Sequence, residues 1–308
     1  MKTMNNESIA TAEEQKRFDQ FLQELQERGR SPRTLRAYQF DWSQFAGWYT
    51  EVNQEPFTLD RLTAMDVQDY ITWGRQQGLK ATTLNRRLAW LKQYAAWGEE
   101  QGVVTPEMRR RIKAIPIQRK QQLAPRSLAP SEARKLLREV KVRGNPRDEA
   151  IIATLLYTGL RVGELVSLKM ADATLSERKG VIHIRAEVAK GGKEREVPVP
   201  KKARETLKIY MEKRSSKSDE PLFIGRQGAL SAEGVAAVVA KYAAWSRLEG
   251  VTPHILRHTF AYSYLENNNN DLVALADILG HTDLNTTRIY TKRRLSDLQA
   301  GAERVQFF

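Results

Sequence analysis

Between Arg109 and Lys120 the chain carries six cations, Arg109, Arg110, Arg111, Lys113, Arg119 and Lys120, and no acid. Pro116 falls inside this run and Pro125 just beyond it, and a proline in a helix interior removes a backbone hydrogen bond and clashes with the preceding turn. Such a stretch suits neither a core nor one long helix, so it divides the 308 residues into two blocks, which agrees with the size of ordinary domains. Its later part, 114–126, reads as a basic linker. Those 13 residues would reach roughly 40 Å if extended at about 3.3 Å each, enough to carry the chain across a DNA duplex. Taken alone, the run reads equally well as a solvated charged surface.

The first block, 1–113, reads as a helical domain. Phe18, Phe21, Leu22 and Leu25 recur at helical spacing. Ser31-Pro32 offers an N-cap with proline at the first helical position, and Leu35, Tyr38, Trp42, Phe45, Trp48 and Tyr49 follow on one broad face. Thr63 and Asp66 are spaced as a capping box, ahead of Val67, Tyr70 and Ile71. A further helix carries Leu84, Leu88, Leu91, Tyr94 and Ala95 and ends near Gly102. No strand pattern interrupts these four or five helices.

The second block, 127–308, is also mainly helical. Ser131 is expected to open one helix, and Ile151, Ile152, Leu155 and Leu156 mark an apolar second. "GVIHI" and "REVPVP" are strand-like segments on either side of the glycine-bearing turn "AKGGK", so a small antiparallel sheet is expected here. Helices are expected again over 201–213 and 231–247.

Charge narrows the partner. The net charge is +13 and the sequence pI about 9.8. Residues 1–125 hold 19 basic and 15 acidic groups, and residues 126–308 hold 31 and 22, so both blocks are basic. A chain of this kind is expected to meet a polyanion, nucleic acid before an anionic membrane. No apolar run is long enough to span a bilayer, and the first residues lack the apolar region of a secretory signal. There is no cysteine, which excludes disulfides, thiolate zinc sites and cysteine nucleophiles and fits an intracellular, cytoplasmic protein.

Four segments of the second block carry groups suited to a phosphodiester: "YTGLRVGEL" with Arg161, "AKGGKEREVPVP" with Lys190, "HILRHTF" with His254 and Arg257, and "HTDLNTTRIYTK" with His281 and Tyr290. Attack at phosphorus builds charge on the non-bridging oxygens, which two arginines can grip while staying protonated. The leaving sugar oxygen needs a proton, which lysine or histidine can give. Tyrosine can form the covalent ester. Its hydroxyl, with a pKa near 10, is ionised in only about one molecule in a thousand at pH 7, so neighbouring cations and a basic imidazole would assist it. Taken singly, each has an ordinary reading: Arg161 and Lys190 as surface cations, Tyr290 as packing, and His254 with Arg257 as a helix-end pair.

Together and in this order, "TGLRVGELVSLK", "KGGKEREVPVP", "HILRHTFAYSYL" and "LGHTDLNTTRIYT" resemble the signatures of the tyrosine site-specific recombinases, the family of phage integrases, Xer-type recombinases and transposon resolvases. The resemblance implies a helical core-binding domain joined to a larger, α-rich catalytic domain with a small antiparallel sheet. It implies six catalytic groups, Arg161, Lys190, His254, Arg257, His281 and Tyr290, with Glu164 orienting Arg161. It also implies strand cleavage through a 3′-phosphotyrosyl link without metal or nucleotide, a Holliday junction, and no cofactor. The partners would be a double-stranded recombination site clamped between the two domains and a homo-tetramer assembled on it, with room for accessory DNA-bending proteins and no membrane. Residues 295–308 would dock on a neighbouring protomer. Arg109, Arg110, Arg111, Arg119, Lys120 and Lys193 are the expected DNA contacts. Ala189 stands where the family usually has glycine, and Lys193 is a second candidate for the hairpin lysine. Asn267–Asn270 replace the usual small loop before the penultimate helix. Three other readings remain: a zinc hydrolase using His254, His258 and His281, a type IB topoisomerase-like enzyme, and a catalytically silent DNA-binding regulator.

Overall fold

The computed structural model describes residues 9–118, 125–189, 192–214, 217–281, 283–291 and 303, in two compact units, Met1–Gln121 and Gln122–Phe308. Among the described residues the first unit holds five α-helices: α1 (Ala12–Glu27), α2 (Pro32–Asn53), α3 (Ala64–Gln76), α4 (Ala81–Glu100) and α5 (Pro106–Ala114). Their starts follow local sequence. Thr11 Oγ1 accepts the Glu14 N–H, Ser31 Oγ accepts the Thr34 N–H ahead of Pro32, and Thr63 and Asp66 cap each other reciprocally, satisfying donors a helix start leaves open. The apolar faces meet in an aromatic core. Phe18, Trp42, Phe45, Trp90 and Tyr94 are buried, and Phe18 stacks on Trp42 with ring centroids 4.7 Å apart.

The fifth helix is longer than the basic run suggests. Thr105 caps it through the Met108 N–H, and Ile112 is fully buried in the first unit's core. The start of the segment read as linker also packs there. Ile115 is buried and accepts from Lys92 Nζ at 2.5 Å. Asn85 holds both backbone groups of Gln118, at 2.6 and 2.9 Å. Residues 119–124, with Arg119 and Lys120, lie outside the described residues.

In the second unit α6 (Pro130–Arg143) precedes α7 (Pro146–Thr158). α6 starts one residue before the expected Ser131. Proline's fixed φ suits the first helical position, and Glu132 accepts the Ala129 N–H at 2.8 Å. Central to the unit is α7, with Ile151, Ile152 and Leu155 fully buried. After the short α8 (Val162–Val166), strands β1 (Ala173–Leu175), β2 (Gly180–Ile184) and β3 (Arg195–Pro198) form an antiparallel sheet in that order. Ile182 pairs with Val197, and Ile182, Ile184 and Val197 are all buried. Then come α9 (Lys201–Arg214), a two-stranded β4–β5 hairpin (Ile224–Gly225, Gly228–Ala229), α10 (Ala232–Trp245), α11 (Pro253–Asn267), α12 (Leu272–Leu279) and α13 (Leu284–Thr287). A 3₁₀ turn, Arg288–Thr291, carries Tyr290. Apart from Glu303, the segment 295–308 lies outside the described residues. Among the described residues no helix is long and apolar enough to cross a membrane.

Candidate active site

The site is assembled where the end of α7, the face of α11 and the loop after α12 converge. Gly159 ends α7 with a left-handed φ of 64°. A β-carbon there would come within 2.3 Å of the Phe260 ring and 2.9 Å of Leu279, so glycine both turns the chain and admits its neighbours. Two residues on, Arg161 caps α8. Its backbone N–H and its Nη1 both donate to Glu164, at 2.9 and 2.8 Å, and its Nη2 reaches the Gly280 carbonyl at 3.3 Å.

Glu164 is only 1% exposed. Besides Arg161 it accepts both terminal nitrogens of Arg195, at 3.1 and 2.9 Å. Burial pushes its acidity toward the neutral form, but the hydrogen bonds from Arg195 and Arg161 outweigh it and hold the carboxyl below its ordinary value. Arg195, the first residue of β3, also donates through Nε to the Ile278 carbonyl at 2.9 Å. Its guanidinium lies against Gly280, whose φ is 63° and where a β-carbon would sit 2.7 Å from Nη1. One buried carboxylate thus ties the Arg161 turn to the sheet, and the same arginine ties the sheet to the loop bearing His281.

Arg257, on α11, is 5% exposed. Nη1 donates to the Gly159 carbonyl at 2.6 Å and Nη2 to the Leu279 carbonyl at 2.9 Å. Burial, and then the Arg161 charge, bring its acidity to about 10, so it remains a cation at neutral pH. Nη2 also lies 2.9 Å from His281 Nε2. A guanidinium has no acceptor, so Nε2 must accept, and the ring proton sits on Nδ1, 2.8 Å from Thr287 Oγ1. Burial first, and then Arg257 and Arg161, hold this imidazole at about 4. His281 is therefore neutral at physiological pH, with both nitrogens engaged.

Tyr290 is 6% exposed and packs among Ala261, Leu265, Leu275 and Leu279. Its hydroxyl lies 2.8 Å from His258 Nδ1, and the Tyr262 ring meets it edge-on at 5.3 Å. Burial raises its pKa above the ordinary 10, against the pull of Arg257 and Arg161. At Tyr290 the neighbouring cations do not offset burial. His254 stands exposed in the first turn of α11, one turn before His258.

Arg161, Arg257, His281 and Tyr290 therefore come together. Lys190 lies outside the described residues, beside buried Ala189, and Lys193 is exposed on the same hairpin. Of the expected DNA contacts, Arg109 pairs with Glu99 at 3.3 Å and Arg111 with Glu107 at 2.5 Å, while Arg110 is exposed. Three site residues were not anticipated in these roles. Arg195 looks in sequence like a strand residue facing solvent, and Thr287 like one of two threonines in a short helix. His258 was considered only as a metal ligand. Among the described residues no three histidines or carboxylates are placed to share a metal ion.

Comparison with known proteins gives the family. The model of the phage integrase family matches residues 126–296, and that of the phage integrase N-terminal SAM-like domain matches residues 18–102. The chain is 33% identical over 285 residues to tyrosine recombinase XerD of Listeria monocytogenes, covering 88% of this chain and 93% of that one. It is 34% identical over 285 residues to tyrosine recombinase XerC of Thermodesulfovibrio yellowstonii, covering 88% and 89%. The crystal structure of XerH site-specific recombinase bound to its difH substrate shares the fold, with a TM-score of 0.69 and 24% identity over 88% of this chain and 79% of that one. With both blocks matched by the family's two domains and curated relatives a third identical over most of their length, the chain belongs to the phage integrase family, the tyrosine site-specific recombinases.

Proposed function

We propose that Tyr290 is the nucleophile with which this recombinase cuts and rejoins DNA at its recombination site. Its Oη attacks the scissile phosphorus, giving a 3′-phosphotyrosyl link and a free 5′-hydroxyl. Arg161 and Arg257 hold the non-bridging oxygens as charge builds on them. Lys190 protonates the leaving oxygen, with Lys193 the next candidate. Because the ester retains the bond energy, a partner strand's 5′-hydroxyl can reverse the step and complete an exchange through a Holliday junction.

The observation that carries this reading is the convergence of two arginines that still have donors to offer beside a tyrosine hydroxyl. Of a guanidinium's five N–H groups, Arg161 uses two within the protein and Arg257 three. The rest can turn to a phosphate. His281 accepts from Arg257 here, so it first acts to orient that guanidinium. A histidine bond to the phosphate falls to His254, or to His281 once it releases Arg257. We read the assembly as a homo-tetramer on two duplexes, held by residues 295–308 docking between protomers, with room for accessory DNA-bending proteins. That the XerH relative was crystallised on its difH substrate before and after cleavage supports DNA as the partner.

The test is covalent capture. Fragments of the host genome are incubated with the protein, and DNA that stays attached in detergent is recovered and sequenced. One recurring sequence is expected, linked at a 3′ end to the peptide bearing Tyr290. Tyr290→Phe should bind that sequence in gel shifts and form no adduct. An adduct that persists in Tyr290→Phe, or no covalent DNA from the unaltered protein, overturns the reading.

A further inference from the structure

Tyr290 is buried, and burial makes its proton harder to lose. A hydroxyl in that setting needs an acceptor as it attacks, and the phosphate-facing groups cannot serve. Arg161 and Arg257 have no acceptor, and His281 has both ring nitrogens engaged by Arg257 and Thr287. The hydroxyl's hydrogen-bond partner among the described residues is instead His258 Nδ1, at 2.8 Å.

The helix explains how two adjacent residues divide the work. Arg257 turns its guanidinium to the carbonyls of Gly159 and Leu279. His258, the next residue, turns its ring to Tyr290, with centroids 5.6 Å apart and planes inclined at 53°. One turn further along α11, Tyr262 meets the Tyr290 ring edge-on, and its own buried hydroxyl has no partner among the described residues. The charged and titratable groups around His258 are His254, Arg257 and Tyr262 from α11, Tyr290 from the 3₁₀ turn, and Arg161 beyond Arg257. Burial, then His254 and Arg257, keep the His258 imidazole below its ordinary range, so at neutral pH it is uncharged and one ring nitrogen can accept.

We infer that His258 is a catalytic base, taking the Tyr290 proton on Nδ1 as Oη attacks the phosphate. This rests on the reading of Tyr290 as nucleophile. In the step the Oη–H bond breaks and its proton passes to Nδ1. The Oη–phosphorus bond forms, the bond from phosphorus to the 5′-oxygen breaks, and that oxygen takes its proton from the hairpin lysine. On rejoining, the 5′-hydroxyl returns its proton to the lysine as it attacks the phosphotyrosine, and the imidazolium returns its proton to Oη. A histidine that only anchored the tyrosine ring would give the same contact, so the experiment must separate proton transfer from anchoring.

Cleavage is measured on a nicked duplex carrying the site recovered by covalent capture, with a 5′-bridging phosphorothiolate at the scissile position. Sulfur leaves without a proton, so the rate reports only the attack. His258→Gln keeps a hydrogen-bonding side chain but cannot take the proton. It should bind the duplex normally and cleave about a hundredfold more slowly at pH 7, recovering roughly tenfold per pH unit as hydroxide replaces the base. His258→Ala should be partly restored by added imidazole. Wild-type rates in His258→Gln at pH 7, or a loss in both variants that neither pH nor imidazole restores, overturn the proposal. Tyr290→Phe is run alongside. If it loses the adduct while His258→Gln cleaves normally, only the base assignment fails, and if it keeps the adduct, the nucleophile assignment itself fails.

Discussion

Glu164 shows how much of the candidate site is held together from inside the protein. Its carboxylate is almost wholly buried and is shared by Arg161 and Arg195, and breaking such a pair by removing one partner costs about 3–5 kcal/mol because the other charge is left uncompensated. Arg161 still pairs with Glu164 when Arg195 is removed, so Arg195→Ala should lower stability by less than that, measured by denaturant unfolding, and should reduce covalent adduct formation further than stability alone explains. Arg195→Lys should restore little of either. A single ammonium cannot serve both Glu164 oxygens and the Ile278 carbonyl together. A lysine variant that cleaves at the normal rate would show that the planar fork is dispensable. At this scale the sequence singled out Arg161, Arg257, His281 and Tyr290 by their fixed motifs, and the structure brings the four together. It hid Arg195, because an arginine in a short strand has the same local pattern whether it meets solvent or a buried carboxylate. It half-disclosed His258, whose four-residue spacing from His254 was plain but whose partner, Tyr290, lies 32 residues away.

At the scale of elements, periodicity was a good guide wherever one face is apolar and the other polar. Helices α1 to α4 bury the residues their spacing selects, except Leu35 and Tyr38, which are half-buried, and the β2–β3 hairpin follows its alternation. The pattern was least informative at α5, where the cations mask a helix anchored by Ile112 and, just after its end, Ile115. The junction between α7 and α8 depends on a single backbone angle. An alanine in the left-handed region costs about 1–2 kcal/mol from the backbone alone, and at Gly159 its β-carbon would also press on Phe260 and Leu279. Gly159→Ala should thus lower the melting temperature and, because the Gly159 carbonyl anchors Arg257 and Arg161 follows two residues later, slow cleavage more than it weakens DNA binding. Equal losses in binding and cleavage would mean that the turn supports the unit as a whole rather than the arginines.

For the whole molecule, charge is the property that sequence states most directly and the structure refines. A net +13 chain meeting a duplex should release counterions, so binding should weaken steeply with salt, with a slope of about −0.9 per phosphate contacted. The sequence offers Arg109, Arg110 and Arg111 as equal contributors. In the folded unit they are not equal, since Arg109 faces Glu99 and Arg111 faces Glu107, while Arg110 is exposed. Exposed ion pairs are weak, about 0–1 kcal/mol, so phosphate could still draw the paired arginines away, but each would leave a glutamate behind near the anionic backbone. Arg110 leaves none of these. Arg110→Ala should therefore flatten the plot of log affinity against log salt by roughly one contact's slope, and replacing Arg109 and Arg111 together should change it by less than two. The comparison is made by gel shift or fluorescence anisotropy on the captured site across a salt series. A slope unchanged in both variants would mean that α5 turns its cations to solvent in the complex and that the field steering DNA comes from the more basic second block.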